Sequence, residues 1–340
     1  MLHVLNDLKK TAGAALLAGL LLPASLAGAA ASQETSAAPS IAGNTAGGPE
    51  SSAAQSDAWK PEAGQAAPPP AAVKKKKVLV IGLDGTRPDA LQAANAVNLD
   101  ALAANGAYSW TTKANSNYTW SATGWSTIHT GVWYQKHGVK DNTWTGSKFG
   151  QYPSLMKRAE LYNPALSTAS IVHWGPINDK LVEGIDLEKT VATDAEVVSD
   201  TVNLLKTGNP DFLFLHFDDI DHAGHTYGFS PKVSQYTKAI EGVDAQIGTI
   251  LDAVKARSTY AQEDWLILVS TDHGGKGTSH GGSSSEETTI FLIASGESTV
   301  KGQLTGTTNQ ADVMVTALKH LGVPVSSSWN LDGRAVGLIQ

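Results

Sequence analysis

A glycine-rich stretch late in the chain, STDHGGKGTSHGG at residues 270–282, carries one carboxylate and two imidazoles at the end of the apolar run WLILVS. Asp272, His273 and His280 offer the mixed oxygen and nitrogen ligands that zinc and other first-row metal ions take in proteins. The surrounding glycines let the backbone turn sharply and approach an ion closely. Taken alone, the stretch is also compatible with a strand that ends in a turn, so its meaning depends on other segments.

Two further segments place carboxylates after apolar runs of the same kind. Asp84 follows VLVIGL, and Asp221 comes shortly after FLFLHF, where it begins the motif DHAGH that also contains His225. A spacing of four residues places Asp221 and His225 on one face of a helical turn. Because ligands bind at the carboxyl ends of strands in open parallel sheets, we expect Asp84, Asp221 and Asp272 to meet at one edge.

Carboxylates that gather at one edge repel each other and cannot all stay ionised unless positive charge lies among them. Arg87 is the main cationic side chain nearby in the sequence, and the neighbouring histidines are mostly neutral at pH 7. A bound divalent metal ion is the simplest source of the missing charge. An aspartate that caps a helix would explain Asp84 or Asp221 taken singly. The shared position of the three carboxylates favours a metal site.

A candidate nucleophile lies in NYTWSATGWSTIHTG at residues 117–131, where a polar loop enters a short helix that we expect to end near Gly131. Ser121, at the start of that helix, lies beside free backbone N–H groups and the positive end of the helix dipole, which favour a phosphate group. Close to a metal ion, its hydroxyl could lose a proton and attack phosphorus. The structural alternative is that Ser121 only caps the helix.

A sheet of buried strands separated by helices is needed to position these residues. Continuous apolar runs rich in β-branched and aromatic residues predict strands at 78–83, 167–174, 212–217, 265–270 and 288–294. The segments between and after them predict helices at 88–105, 121–130, 152–161, 193–207, 231–257 and 309–321. This alternation predicts an α/β fold, a three-layer α/β/α sandwich with a mostly parallel, doubly wound sheet.

The chain begins with segments that we assign to export rather than to the fold. Residues 1–30 are predicted to be a signal peptide, because Lys9 and Lys10 precede an apolar stretch and small residues follow it. The mature protein is then expected in the periplasm or secreted, without a stable membrane anchor; a retained anchor is the alternative. Residues 31–76 are predicted to be a disordered linker rich in Ala, Ser and Pro, and residues 77–340 the folded domain.

Charge and cysteine content exclude several classes of function. The net charge of −7 argues against nucleic-acid binding, and the run Lys74 to Lys77 is interpreted as a solvated edge beside the first strand. The absence of cysteine excludes disulfides and thiolate metal sites. Any metal site must therefore use oxygen and imidazole ligands.

Taken together, these motifs make the sequence resemble the alkaline phosphatase superfamily, in particular its type I phosphodiesterase and nucleotide pyrophosphatase branch. The resemblance runs from about Lys77 to NLDGRAVGL near the carboxyl terminus and covers essentially the whole folded region. The motifs that carry it are GLDGTRPD (82–89), STIHTG (126–131), HGVKDN (137–142), DHAGHTYG (221–228), STDHGGKGTSHGG (270–282) and LKHLGVPV (318–325).

The resemblance implies a site with two divalent metal ions, for which zinc is the expected metal. The implied ligands of one ion are Asp84, Ser121, Asp272 and His273, and those of the other are Asp221, His225 and His280.

Two catalytic roles follow from the same resemblance. Ser121, ten residues before Gly131, is the implied nucleophile, and Asn142, twenty-one residues after Ser121, is the implied contact to a phosphoryl oxygen.

The activity implied is hydrolysis of a small phosphate ester through a phosphoryl-serine intermediate. Phosphodiesters or pyrophosphates are favoured over monoesters, because HWGPIND at 173–179 lacks the Lys-x-Arg pair that some exported monoesterases carry. A phosphomonoesterase remains the alternative. A sulfatase is disfavoured, because SATGW at 121–125 lacks the proline and arginine of the sulfatase pattern. A preference for nucleotides is in doubt, because Ala122 and His216 stand where that branch carries aromatic residues that stack on the base.

An alternative hypothesis stays open, namely that the protein binds metal or anions without catalysis. No feature of the sequence predicts the oligomeric state.

Overall fold

A computed structural model describes residues 73–339 of the chain. The predicted signal peptide at 1–30 and nearly all of the predicted linker at 31–76 lie outside the described residues. Within residues 73–339 the strands are β1 (Lys75–Leu83), β2 (Ala107–Lys113), β3 (Thr168–Val172), β4 (Leu187–Thr190), β5 (Phe212–Phe217), β6 (Glu263–Ser270), β7 (Thr289–Ser295) and β8 (Gly302–Gln303). The α-helices are α1 (Pro88–Ala93), α2 (Val97–Asn105), α3 (Ser121–Thr130), α4 (Tyr134–His137), α5 (Leu155–Tyr162), α6 (Asp194–Thr207), α7 (Asp219–Tyr227), α8 (Ser234–Lys255), α9 (Ser285–Thr288) and α10 (Asp312–His320).

The strands form one mixed sheet in the order β4-β3-β5-β1-β6-β7-β2-β8. β1 lies at its centre and pairs in parallel with both β5 and β6. β7 runs antiparallel to β6 and to β2, and the remaining pairs are parallel. The predicted α/β fold with a mostly parallel sheet is confirmed.

Helices cover both faces of the sheet. Side chains alternate along each buried strand, so neighbouring residues pack on opposite faces. In β1, Leu79 and Ile81 pack into one core with residues of α1, α2, α6 and α8. Val78 and Val80 of the same strand pack into a second core with residues of α3, α5 and α10. Burial on both faces explains why the strand reads as a continuous apolar run. Each such fully buried side chain contributes about 1.5–3 kcal/mol of transfer free energy.

Every predicted strand occurs, with its ends within a few residues of the expected positions. The helix predicted at 121–130 has the bounds of α3 and ends at Gly131, whose φ of 69° is the left-handed conformation that glycine adopts easily. The single helix predicted at 88–105 is wrong, because α1 and α2 are separate. The carboxylate of Asp244 accepts the N–H groups of Asn98 and Leu99 and so begins a new helix there.

The lysine run at the start of the domain differs from its interpretation as a solvated edge. β1 begins at Lys75, so the last two residues of the predicted linker belong to the sheet. Lys77 is fully buried, and its Nζ donates to the side chain of Asn209 at 2.9 Å, to the carbonyl of Pro210 at 2.8 Å and to Asp211 at 2.9 Å. These partners at the amino end of β5 compensate the buried charge.

One segment near the carboxyl edge of the sheet has no regular structure. Residues 138–154, between α4 and α5, form turns and bends only. Among the helices in residues 73–339, none is both long enough and apolar enough to cross a membrane.

Candidate metal centre

The three aspartates predicted to meet do lie at one edge of the sheet. Asp84 directly follows β1, Asp272 comes two residues after β6, and Asp221 lies in the first turn of α7, which begins after β5. Because β1 pairs in parallel with both neighbours, the carboxyl ends of all three strands are side by side. The register places Gly82 of β1 level with His216 of β5. Segments far apart in sequence thus deliver carboxylates to one place.

The first group of side chains surrounds one ring nitrogen of His273. Its Nε2 lies 3.1 Å from Asp272 Oδ2, 3.2 Å from Ser121 Oγ and 3.5 Å from Asp84 Oδ1. All four residues are buried. The four implied ligands of one ion are therefore brought together.

The second group adjoins the first. His225 Nε2 lies 3.2 Å from Asp221 Oδ2 and 3.1 Å from His280 Nε2, and His280 Nε2 lies 3.8 Å from Asp221 Oδ1. The rings of His280 and His273 stack with centroids 3.7 Å apart, which joins the two groups. The three implied ligands of the second ion are also brought together. The ligand roles of all seven residues stay predictions.

The tautomer of each imidazole is fixed by its backbone contact. Each Nδ1 donates to a carbonyl oxygen: His273 to Gly274 at 2.8 Å, His225 to Thr278 at 2.9 Å and His280 to Thr119 at 2.8 Å. A carbonyl only accepts, so Nδ1 carries the proton and Nε2 of the neutral ring keeps its lone pair. With both rings neutral, the form in which imidazole binds a metal, the Nε2 atoms of His225 and His280 face each other as two acceptors. This arrangement is typical of histidines that ligate a metal.

The carboxylates show the same shortage of donors. Asp84 Oδ1, Asp221 Oδ1 and Asp272 Oδ2 are buried and accept no hydrogen bond within the described part of the chain. Arg87, the cation expected nearby, instead donates to Asp89 and to two backbone carbonyls. Buried anionic oxygens without donors are costly unless they pair with a cation. The donor set fits divalent metal ions.

The pKa shifts reflect the crowding of like charges. Burial, together with the charges of Asp84 and Asp221, raises the pKa of Asp272 well above its usual range. Burial also opposes ionisation of Asp84, yet the hydrogen bond from His216 and the neighbouring imidazoles hold its pKa below its usual range. The contact with Asp221 raises the pKa of His225 to about 9, while burial lowers that of His280 to about 4.

Ser121 is the first residue of α3, and its hydroxyl does not cap the helix. The N-cap position is occupied by Trp120, without a side-chain hydrogen bond to the helix. The side chain of Asn142 supplies an acceptor instead, because its Oδ1 takes the N–H of Ala122 at 2.9 Å. Asn142 is exposed, and its contact places it one residue from the predicted nucleophile. The capping alternative for Ser121 loses its support.

Two glycines allow these elements to approach closely. Gly85 has a φ of 64°, and a Cβ there would lie 2.4 Å from Asp221 Oδ1. A Cβ at Gly124 of α3 would lie 2.5 Å from the backbone oxygen of Asp272. Side chains at these positions would push the ligands and the nucleophile helix apart.

Two residues that hold Asp84 were missed by the sequence analysis. His216 Nε2 and Trp125 Nε1 both lie 2.9 Å from Asp84 Oδ2, which leaves Oδ1 free of donors. His216 had been considered only as a position that lacks a base-stacking aromatic residue. A histidine inside an otherwise apolar strand next to a strand-end aspartate is the signal that could have found it.

A third cluster of His173, Asp194 and Asp219 has a structural role. The carboxylate of Asp194 accepts the N–H groups of Asp218 and Asp219 at the start of α7, and His173 Nδ1 lies 2.8 Å from it. This aspartate orients the helix that carries Asp221.

Comparisons with known proteins identify the family of the chain. The profile of a family described as the Metalloenzyme superfamily matches residues 77–325. The catalytic subunit of GPI ethanolamine phosphate transferase 2 from Homo sapiens is 35% identical over 138 residues, which cover 39% of this chain and 14% of that protein. Ectonucleotide pyrophosphatase/phosphodiesterase family member 1 from Homo sapiens is 29% identical over 168 residues, covering 43% of this chain and 18% of that protein. The chain thus spans less than a fifth of the length of these relatives.

Solved structures share the fold. Murine ectonucleotide pyrophosphatase/phosphodiesterase 5 in complex with AMP has a TM-score of 0.60 at 14% identity, covering 74% of this chain and 96% of that one. A 2-O GAG sulfatase also has a TM-score of 0.60 at 13% identity, covering 77% of this chain and 73% of that one. At these identities the likeness concerns the fold alone.

Proposed function

The chain belongs to the alkaline phosphatase-like metalloenzyme superfamily, and we propose on that basis that it hydrolyses phosphate esters at a two-metal centre through a phosphoryl-serine intermediate on Ser121. One observation carries the proposal. Two adjoining groups of buried carboxylate oxygens and imidazole Nε2 atoms meet at the start of α3, and three of the oxygens have no donor.

The residues proposed to hold the metal ions are the seven predicted ligands. Asp84, Ser121, Asp272 and His273 form the first group, and Asp221, His225 and His280 form the second. Divalent ions bound there, with zinc as the expected metal, would supply the positive charge that the carboxylates lack and act as Lewis acids toward phosphoryl oxygens.

Ser121 is proposed to perform the first displacement. The Ser121 hydroxyl loses its proton to solvent as the bond from Oγ to phosphorus forms and the bond from phosphorus to the leaving-group oxygen breaks, and the leaving group takes up a proton from solvent. Water then attacks phosphorus, the bond from phosphorus to Oγ breaks, a proton returns to the Ser121 hydroxyl, and phosphate or a phosphomonoester is released. Ser121 itself is only 7% exposed.

Asn142 is proposed to hold a non-bridging phosphoryl oxygen. Its Oδ1 already accepts the N–H of Ala122, which orients the amide so that the Nδ2 protons remain for the substrate. A neutral donor of this kind stabilises charge that grows on the phosphoryl group during attack.

Phosphodiesters or pyrophosphates are the proposed substrates. A monoester carries one charge more than a diester and gains from an additional cation. The segment HWGPIND after β3 contains neither lysine nor arginine, and Arg87 is engaged by Asp89. His216 bonds to Asp84 and is therefore not available to stack on a nucleobase. The proposed substrate class is thus small phosphate esters with no requirement for a nucleotide.

Substitution of the nucleophile tests the proposal. Ser121→Ala should abolish turnover of bis(p-nitrophenyl) phosphate while both metal ions stay bound, as measured by elemental analysis. Ser126→Ala is the matched control, because Ser126 lies in the same helix and its Oγ only bonds to the carbonyl of Ala122. Turnover by Ser121→Ala at the wild-type rate would contradict the mechanism.

Rates on matched nitrophenyl diester, monoester and sulfate substrates decide among the related activities. We expect the diester to be hydrolysed fastest and the chelated enzyme to be inactive. Faster hydrolysis of the monoester would favour a phosphomonoesterase, and of the sulfate a sulfatase. A zinc-loaded wild type that hydrolyses none of them would favour a non-catalytic binding protein.

Export is proposed from the predicted signal peptide at residues 1–30. Sequencing of the amino terminus of protein recovered from the periplasm or the medium tests this location.

A further inference from the structure

The loop that carries His280 is held against the start of the nucleophile helix by one residue, Thr119. The backbone carbonyl of Thr119 accepts His280 Nδ1–H at 2.8 Å. Its hydroxyl accepts the N–H of Gly281 at 3.0 Å and donates to the carbonyl of Gly282 at 2.9 Å. Because Thr119 lies two residues before Ser121, these contacts tie the second ligand group to the nucleophile.

The other side of the same loop is held by Glu287, which lies in α9, two residues before β7 begins. One oxygen of its carboxylate accepts the N–H of Gly282 at 2.7 Å, and the other accepts the N–H of Ser284 at 3.0 Å. Its backbone carbonyl accepts the N–H of Gly274, the residue after His273, at 2.9 Å. Glu287 thus contacts the backbone beside both histidines of the STDHGGKGTSHGG stretch.

The loop needs such anchors because its own backbone is permissive. Residues 277–284 contain no helix or strand, and Gly281 has a φ of 109°. Glycine imposes little conformational preference, so the position of His280 must be set by contacts. Thr119 and Glu287 are both buried, and their side chains lie 3.5 Å apart.

We propose that Thr119 and Glu287 are positioning residues that fix His280 for metal binding through the loop at 277–284. The inference rests on the proposed two-metal centre. Neither residue belongs to the predicted ligand set or carries the reacting atoms. Loss of such an outer contact lowers metal affinity by roughly 10- to 100-fold in metal sites generally. The loss is expected only for the ion that His280 binds.

The test uses zinc titration of the full-length protein against a competing chelator, with thermal stability measured in parallel. Thr119→Val removes both hydroxyl contacts and keeps the carbonyl that accepts from His280, whereas Thr119→Ser restores the hydroxyl. Thr316→Val is the matched control, because the buried Thr316 hydroxyl also donates to one carbonyl, that of Asp312, and accepts one N–H, that of Val336.

We expect Thr119→Val to lower the affinity for one of the two zinc ions by roughly 10- to 100-fold and to leave the affinity for the other unchanged. Thr119→Ser should bind both as the wild type does, and Thr316→Val should lose stability without losing zinc. Wild-type affinity for both ions in Thr119→Val, or an equal loss in Thr316→Val, would overturn the inference.

A second variant decides the question if Thr119→Val does not fold. Glu287→Gln replaces one of the two acceptor oxygens with an NH2 group, so the N–H of either Gly282 or Ser284 loses its acceptor, and the same selective loss of one ion is expected. Unchanged zinc binding would refute the role of Glu287. The proposed function fails separately, through turnover by Ser121→Ala, because zinc titration does not depend on hydrolysis.

Discussion

The two edges of the sheet both bury charged side chains, but they compensate the charge differently. At the amino edge, Lys77, Asp211, Arg257 and Glu263 form what we call the amino-edge cluster. Lys77 lies 2.9 Å from Asp211, and Arg257 lies 2.9 Å from Glu263. At the carboxyl edge, Asp84, Asp221 and Asp272 have imidazoles as their only ion-pair partners within the described residues, and each keeps a buried oxygen without a donor.

The difference separates charge that serves the fold from charge that serves a site. A buried carboxylate with its own lysine or arginine is compensated by the chain, and removal of either partner leaves a costly unpaired charge. Buried carboxylates without such a partner repel each other and need a cation from outside the chain. The comparison therefore supports the proposed metal centre at the carboxyl edge without reference to motifs.

Removal of metal ions should have the largest effect and should act on the carboxyl edge alone. Chelation is expected to abolish hydrolysis and to lower the free energy of unfolding by about 4 kcal/mol for each of the two ions, relative to zinc at about 1,000 times its dissociation constant. Thermal melts with and without zinc, together with diester rates, measure both effects. Equal stability in zinc and in chelator would break the comparison.

Lys77→Met is expected to lower the free energy of unfolding by about 3 kcal/mol. The substitution leaves the buried Asp211 with one cationic partner, the partly exposed Lys75 at 2.7 Å. The gain in stability from zinc should be the same as in the wild type, since the amino-edge cluster lies at the opposite edge. Urea melts with and without zinc measure both values. A smaller gain from zinc in the variant would show that the two edges are coupled.

Asp272→Asn should have opposite effects in the two states of the protein. In the metal-free protein it relieves the crowding of the carboxylates and is expected to stabilise the fold, because burial and like charges raise the pKa of Asp272. With zinc, the same change removes a predicted ligand and reduces the gain in stability. Chemical denaturation in chelator and in zinc tests both signs, and destabilisation of the metal-free protein would contradict the charge argument.

The smallest effect concerns pH at the amino edge. Burial opposes ionisation of Glu263, but its hydrogen bonds with Arg257, Trp265 and Thr259 hold its pKa at about 2. Since the folded pKa lies below the unfolded one, the stabilisation is complete above the unfolded pKa and is lost as pH falls toward 2. Between pH 7 and pH 4 this group should account for a loss of about 1 kcal/mol. In denaturant melts, Glu263→Gln should lose correspondingly less stability between pH 7 and pH 4 than the wild type. An identical pH dependence of the two proteins would exclude Glu263 as the source of this loss.

The sequence predicted the parts of the molecule that depend on local pattern. Apolar runs followed by aspartate gave the three carboxylates at one edge, because parallel strands buried on both faces read as continuous apolar segments. The bounds of α3 followed from a polar loop at its start and a glycine at its end. The grouping of Ser121 with His273 was expected only from the family resemblance.

The missed contacts depend on long-range partners. Lys77 is buried because Asp211, 134 residues later, lies beside it, and no pattern within the lysine run contains that information. His216 reaches Asp84 because β1 and β5 pair in one register. Thr119 and Glu287 contact the His280 loop through the path of irregular backbone, which periodicity does not describe.

The irregular segment at 138–154 carries the proposed substrate contact, whereas the proposed metal ligands lie elsewhere in the fold. The predicted ligands lie on strand ends, helices and the 277–284 loop, whereas Asn142, the proposed phosphoryl contact, lies on a stretch without helix or strand. Insertions and replacements there leave the ligand framework in place, since loops tolerate change better than buried strands. Laboratory evolution toward new leaving groups should accordingly accumulate its accepted changes in this segment, which gives the scaffold room to diversify in specificity at little risk to its folding.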